Sequence, residues 1–342
     1  MKSSNPKNLT MEMVALKAGV SITTVSHVIN KTRHVNQETK NAVLRVIKEL
    51  NYRSAKMSKS TRSNEICIGV ILADAREDYY NDMIKAIESV AADYGVSIIF
   101  CDSEADFEKE EKNIGLLLGR NVNGLLLAPA DADRMPKILK NISIPVVLID
   151  RQYESHNFLS VGINNFQSCY QGAGYMIKMG CKNIGFIGYA DPVDTIRKRI
   201  LGYKAALNEF DSAAIPKVLY LKYNGGDSFP LIKQFIIEEG LDGIICATSS
   251  LCAETIEVLD PLDAEMQKKI NLLSYDDNRW LNYLKYPVSV ISQPVAEIGN
   301  AAVENLLQLI EQSNYTRDIK RELLFDTTII DRIANPLTVL PT

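Results

Sequence analysis

The sequence predicts a small all-α head of helix-turn-helix type followed by an α/β body of two lobes built on parallel sheets. Three observations point there. Apolar residues recur at helical spacing over residues 10–50, in three short stretches parted by turn signals. Beyond residue 66, apolar runs of strand length alternate with amphipathic segments of helix length, and the alternation occurs twice. Charge divides at the same place: residues 1–64 hold 12 Lys and Arg against Glu12, Glu38 and Glu49, a net +9, whereas the remainder holds 26 basic against 39 acidic residues, a net −13. At 342 residues, 46% hydrophobic and 23% charged, the chain is long enough for two or three domains and has ample apolar surface to bury.

In the head, Thr10 is the expected N-cap of a first helix, with Val14, Ala15 and Ala18 on one face and Gly19 as its stop. Ser21 then caps a second helix over residues 22–29, with Val25 and Val28 or Ile29 turned inward and Thr23, Thr24 and His27 outward. Asn36 caps a third, in which Ala42, Val43, Val46, Ile47 and Leu50 recur at helical spacing. A helix, a turn with glycine and a second helix form a unit whose second helix enters the major groove of DNA, and the +9 charge supplies the attraction for a polyanion. A polar, basic linker follows over residues 53–65.

In the body, strands are expected at residues 66–72, 96–102, 124–130 and 144–150, and again at 183–190, 218–221, 243–248 and 270–277, with the lobes parting near residue 163. The segment 289–294, a helix over 295–312 and the run "ELLFDTTII" would pass back between them. The expected division is a DNA-binding domain over 1–52, a hinge over 53–65, and an effector-binding and dimerisation domain over 66–333. Within the last, lobe one takes about 66–163 and 293–322 and lobe two about 164–292 and 323–333, leaving a tail over 334–342. Ligands of open parallel sheets bind at the carboxyl ends of the strands, here the cleft between the lobes.

Other chemistry finds little support. There is no secretory-type apolar run in the first 64 residues, no segment near 18 uninterrupted apolar residues, and no CxxC pair among six scattered cysteines. The expectation is a cytoplasmic protein with reduced, mostly buried thiols. No phosphate-binding glycine loop occurs, Gly172 and Gly174 within a helical pattern carry little weight, and His156 has no histidine or cysteine at ligand spacing. Asp276 and Asp277 are adjacent on a strand end and point opposite ways. Neither catalysis, a metal nor a cofactor is expected.

The stretch "VALKAGVSITTVSHVINKTRHV", continued by "ETK" and "VIKELNY", resembles the head of the Lac repressor family, and "TTVSHVINKTR" is similar to its purine-repressor branch. That resemblance implies base-reading roles for Ile22, Thr23 and His27, the last at a position where many members carry Arg. It implies DNA contacts from Arg33 and His34, and phosphate contacts from Thr24, Asn30 and Tyr52. The family's hinge wedges a leucine into the minor groove. Thr61 stands at that position and Ser54 at a usual proline, with Met57 the apolar side chain at hand, so a weaker central kink is expected. The body resembles the family's periplasmic-binding-protein-like sensor in "DYYNDMIKAIE", "VVLIDR", "VGINN", "GAGYMIKMG", "RKRILGYKAAL", "SYDD" and "SQPVAEIG". By resemblance, Tyr79 and Tyr80 line a ligand's flat face, Asp150 and Arg151 hold hydroxyls, Arg199 reaches into the cleft from its R-x-x-G pattern with Gly202, and Asp276 and Gln293 complete the set. Two departures stand out: Thr248, Ser249 and Ser250 where relatives show Asn-Asp, and Asp78 beside Glu77 where they show proline, disfavouring an anionic effector unless Arg76 pairs with the added carboxylate.

The implied partners are a palindromic double-stranded DNA operator, a neutral saccharide or nucleoside-like effector and a second copy of the chain, with no membrane. The end of the chain lacks the leucine heptads of a tetramerising coil, which favours a dimer. Two other readings stay open: a solute-binding protein without a transcriptional role, and a regulator controlled by a protein partner.

Overall fold

The computed structural model describes residues 11–30, 35–49, 66–131, 134–151, 158–190, 194–210, 214–223, 225–261, 269–312, 321–333 and 338–341. The chain divides into two units, Met1–Ile66 and Cys67–Thr342.

The first unit contains α1 (Met11–Ala18), α2 (Ile22–Asn30) and α3 (Gln37–Glu49). One small core of Val14, Ala15, Val25, Val28, Val43, Val46 and Ile47 holds them, with Met11, Ala18, Val20 and Val35 against its edge. Gly19, at φ 65°, takes the left-handed conformation that ends α1 without a steric cost. The Ser21 hydroxyl accepts from the Thr24 backbone N–H at 3.1 Å and so caps α2. Asn36 accepts from the Glu38 N–H at 2.9 Å at the start of α3. The expected cap at Thr10 lies outside the described residues.

The second unit contains two sheets. Strands β1 (Cys67–Leu72), β2 (Ser97–Asp102), β3 (Gly124–Leu127), β4 (Val146–Ile149) and β5 (Leu159–Ile163) alternate with α4 (Asp78–Asp93), α5 (Phe107–Gly119) and α6 (Met135–Leu139). They form a sheet in the order β2-β1-β3-β4-β5, all parallel. On one face, α5 and α6 cover a core that includes Ile71, Leu117, Leu125, Leu127, Leu139 and Leu148. After β5 the chain enters the second lobe, with α7 (Asn165–Lys178), β6 (Ile184–Tyr189), α8 (Asp194–Phe210), β7 (Lys217–Leu221), α9 (Phe229–Glu238), β8 (Gly243–Cys246), α10 (Ser249–Leu259), β9 (Asn271–Tyr275) and β10 (Val288–Ser292). Here the order β7-β6-β8-β9-β10 repeats that of the first sheet, again parallel. Helix α11 (Val295–Glu311) then returns to pack on α4.

The last strands correct the sequence reading. "ELLFDTTII" is two strands in two different sheets. β11 (Arg321–Phe325) joins β5 in parallel, and β12 (Thr328–Asp331) joins β10 antiparallel. Leu323 to Phe325 therefore belong to the first sheet, and the crossing falls at Asp326 and Thr327 rather than after residue 322. The expected tail contributes β13 (Thr338–Pro341), paired antiparallel with β12. The second sheet thus gains β12, which runs against its parallel frame, and β13 at the edge, which runs with it.

Helices α7 and α8 pack closely enough to require glycine. A Cβ on Gly202 would lie 2.1 Å from the Phe166 carbonyl oxygen and 2.9 Å from the Tyr170 nitrogen, both rigid backbone. That close approach draws in the preceding turn of α8, including Arg199. Gly172, of little weight as a sequence signal, also has a packing role: a Cβ there would meet Ile291 at 2.6 Å.

Candidate functional site

The head presents its polar surface on α2. Ile22 is 47% exposed and Thr23 is exposed, while Thr24 and His27 are half-buried. The Thr24 hydroxyl lies 2.8 Å from that of Ser21, so this expected phosphate contact is already engaged at the cap. Asn30 ends the helix. Arg33, His34, Tyr52, Met57 and Thr61 lie outside the described residues.

In the body, the carboxyl ends of the two sheets enclose a cavity of about 350 Å³, and Tyr79, Tyr80, Asp150, Arg151, Arg199, Asp276 and Gln293 all line it. The first turn of α4 supplies the two tyrosines. Their rings stand 5.2 Å apart at 67°, forming a corner rather than one flat platform. Tyr80 donates to Asp150 Oδ2 at 2.8 Å, while the buried Tyr79 hydroxyl has no hydrogen-bond partner.

Asp150 and Asp276 occupy matching places in the two lobes. Asp150 follows β4 and Asp276 follows β9, strands with the same neighbours in their sheets. Each donates its backbone N–H to the adjacent strand, Asp150 to Val161 at 2.9 Å and Asp276 to Ile291 at 3.0 Å. Each is held at positive φ, 63° and 69°, a conformation that costs a non-glycine residue on the order of 1 kcal/mol and collects at ligand sites. Gln293 donates to Asp276 Oδ1 at 2.8 Å and leaves its own Oε1 buried and unpartnered. Burial pushes the Asp276 carboxyl up to about 7, outweighing the opposing pull of Arg199 and of the Gln293 hydrogen bond.

Arg199 is fixed on three sides. Its Nε donates to Asn165 at 2.7 Å, an NH1 hydrogen to the Ala247 carbonyl at 2.6 Å, and the guanidinium lies 3.5 Å from the centre of the Tyr275 ring. Arg151 donates to the Pro129 carbonyl at 2.9 Å and lies 3.9 Å from Asp150. The cavity also meets Asp74, Glu77, Glu104 and Asp106, so six carboxylates face two guanidiniums. Behind the wall, Glu110 accepts from the Ala130 N–H at 2.8 Å, and burial lifts its carboxyl to about 8.

Sequence reasoning missed the contacts across the cleft mouth. Ser250 donates to Glu77 Oε1 at 2.6 Å, Ser249 lies 3.4 Å from Oε2, and the Tyr223 hydroxyl bonds to Asp74. Arg76 pairs with Asp74, at 2.6 Å between NH2 and Oδ2, and Asp78 is exposed at the start of α4. The mouth carboxylate is Glu77, and burial raises its proton affinity despite the serine hydroxyls. The serines were visible as departures from the family pattern, but their partners are 172 and 173 residues away.

Among the described residues, no group of three or more His, Cys, Asp and Glu could hold a metal, and no helix is long and apolar enough to cross a membrane. The six cysteines are buried or half-buried.

Comparison with known proteins adds matches over both units. Residues 68–314 match the family model described as periplasmic binding protein domain, and residues 10–55 that described as bacterial regulatory proteins, lacI family. The chain is 29% identical to the HTH-type transcriptional regulator RegA of Clostridium saccharobutylicum, across 87% of this chain and 92% of that one. It is 30% identical to the HTH-type transcriptional repressor PurR of Pectobacterium atrosepticum, across 88% and 90%. Among solved structures, the Lac repressor dimer bound to operator and the anti-inducer ONPF superposes with a TM-score of 0.77 at 21% identity, covering 95% of this chain and 98% of that one. That likeness shows the shared fold.

Proposed function

This chain belongs to the lacI family of bacterial regulatory proteins and regulates transcription through DNA, and we propose that it is a ligand-controlled repressor whose effector occupies the cleft of the body. In this reading a cytoplasmic homodimer binds an inverted-repeat operator and carries out no catalysis. Ile22, Thr23 and His27 read base edges. Thr24, Asn30 and Tyr52 hold phosphates, and Arg33, His34, Met57 and Thr61 make the flanking and hinge contacts. The Thr24 hydroxyl would exchange Ser21 for phosphate on binding.

Tyr79, Tyr80, Asp150, Arg151, Arg199, Asp276 and Gln293 hold the effector, an uncharged saccharide or nucleoside-like compound. One observation carries this assignment. Residues from widely separated segments converge on one cavity that contains an unpartnered hydroxyl, Tyr79, and an unpartnered acceptor, Gln293 Oε1. Buried polar atoms without partners cost roughly 1–3 kcal/mol each, a cost that a hydroxyl-bearing ligand removes. The excess of carboxylates disfavours an anion. Contacts from both lobes give the ligand different affinity for open and closed arrangements, which is what coupling to DNA requires, typically ~1–3 kcal/mol.

The test is operator binding by the full-length protein across a salt series, with and without sugars and nucleosides at saturating concentration. The reading predicts a steep fall of affinity with salt and a severalfold change on adding one of these compounds. Salt-insensitive binding would remove the head from the account. A ligand response that survived Asp276→Asn with Arg199→Met would remove the cleft.

A further inference from the structure

Beyond the mouth of the effector cleft lies a second cavity of about 540 Å³, lined in part by Tyr189, Tyr220, Tyr223 and Glu254. It shares Asp74, Glu77, Tyr189 and Tyr223 with the first cavity, so the two are contiguous. The boundary between them carries the bonds that join the lobes, Tyr223 to Asp74 and Ser250 to Glu77. We propose that this second cavity is a further subsite of the effector cleft, taking the second ring of an unphosphorylated disaccharide, with those two bonds as the gate between subsites. The inference rests on the reading of the first cavity as the effector site.

The lining selects the chemistry. Tyr189 and Tyr223 stand edge to face, 5.0 Å apart at 84°. Two rings so placed cannot sandwich a flat base, but they offer a corner to a puckered ring whose C–H face lies on one of them. Asp74, Glu77 and Glu254 supply acceptors for the outward hydroxyls of such a ring. A phosphate is poorly served. Three carboxylates face Arg76 and Lys222, and Arg76 is bonded through Nε and NH2 to Asp74 at 2.9 and 2.6 Å. The gate is also chemically matched to a sugar, because each of its bonds pairs a hydroxyl with a carboxylate. A ligand hydroxyl can replace Tyr223 or Ser250 at the same acceptor without leaving a buried charge unpaired.

Tyr220 and Glu254 line the second cavity and not the first. Tyr220 is 52% exposed, so its truncation leaves the fold intact. The experiment is calorimetric titration of the full-length protein with cellobiose, maltose, lactose, glucose, galactose, ribose, adenosine and glucose 6-phosphate. A disaccharide is expected to bind at least tenfold more tightly than its component monosaccharide, adenosine or the sugar phosphate. Tyr220→Ala and Glu254→Gln should each remove most of that gain and leave the monosaccharide's affinity unchanged. Equal affinity for one ring and two, no disaccharide binding, or a disaccharide indifferent to both substitutions would overturn the second subsite. Failure of the first cavity has a different signature: ligand binding that survives Asp276→Asn with Arg199→Met.

Discussion

The outward face of α2 in the head and the cleft of the body both offer polar groups to a partner, but they hold them differently. Thr23 and Ile22 stand exposed, on a short helix over a core of seven small and medium apolar side chains. Arg199 and Gln293 are buried, and Asp150 and Asp276 sit on strained backbone. A DNA surface needs groups that give up water to a groove, and its precision comes from the helix as a rigid body. A cleft that senses a small molecule must hold its groups in place before the ligand arrives, and local stability is given up to do so. Substitutions on the head surface should therefore change binding and spare folding, whereas substitutions in the cleft should change both.

The largest effect is expected at Arg199. Replacement by methionine leaves Asn165 and the Ala247 carbonyl without their donor and Asp276 without its nearby cation. Stability should fall by roughly 3 kcal/mol, read by denaturant unfolding of the full-length protein. If Arg199→Met folded as tightly as the parent, the contrast between the two surfaces would fail at its strongest point.

Thr23→Ala combined with His27→Ala should lower discrimination between operator and random duplex by roughly 2–4 kcal/mol, since each base contact contributes about 1–3 kcal/mol. The unfolding midpoint should move little, because Thr23 is exposed and the half-buried His27 lies outside the apolar core of the head. Anisotropy titrations on specific and scrambled duplexes, with a melting curve, read both at once.

Glu110 sharpens the comparison through pH. In the folded body its proton is held to about pH 8, against an ordinary value of 4.5. Between those values the folded chain binds more protons than the unfolded chain, so stability falls as pH rises through that window. Glu110→Gln should match the parent below pH 5 and exceed it above pH 8, by an amount that grows through the window by up to about 1.4 kcal/mol per pH unit. Identical pH profiles for the two proteins would count against the burial of that charge.

The smallest effect is expected at the mouth. Tyr223→Phe removes one hydroxyl-to-carboxylate bond between the lobes, which contributes about 1 kcal/mol. Small-angle scattering of the ligand-free protein should show a more open body, and an unchanged profile would mean that this bond does not hold the lobes together.

How much of this was legible in the sequence follows from the range of the forces involved. The head was readable because its signals are local: Ser21 and Asn36 at the caps, Gly19 at the stop, and apolar residues at helical spacing. The parallel strands were readable because strands buried on both faces appear as unbroken apolar runs, "GLLL" and "VVLI" among them. The seven residues assigned to the cleft came through family resemblance rather than periodicity, since nothing local marks Asp150 and Asp276 as equivalent. What stayed hidden is of two kinds. Contacts between lobes, such as Glu77 with Ser250, join residues that only the tertiary fold brings together. The last strands were misjudged because two polar residues, Asp326 and Thr327, suffice to pass the chain between sheets inside an otherwise strand-like run. The strand at Thr338–Pro341 is four residues long and ends in proline, a pattern suited to an edge and weak as a sequence signal.

The central claim is that α2 reads DNA for this regulator. Its most direct test is selection of binding sites from a pool of random duplexes by the full-length protein, followed by sequencing, in parallel with the Thr23→Ala, His27→Ala variant. The account predicts enrichment of an inverted repeat by the parent and loss or change of its letters in the variant. A pool left unenriched, or the same motif recovered with equal strength by both proteins, would contradict it.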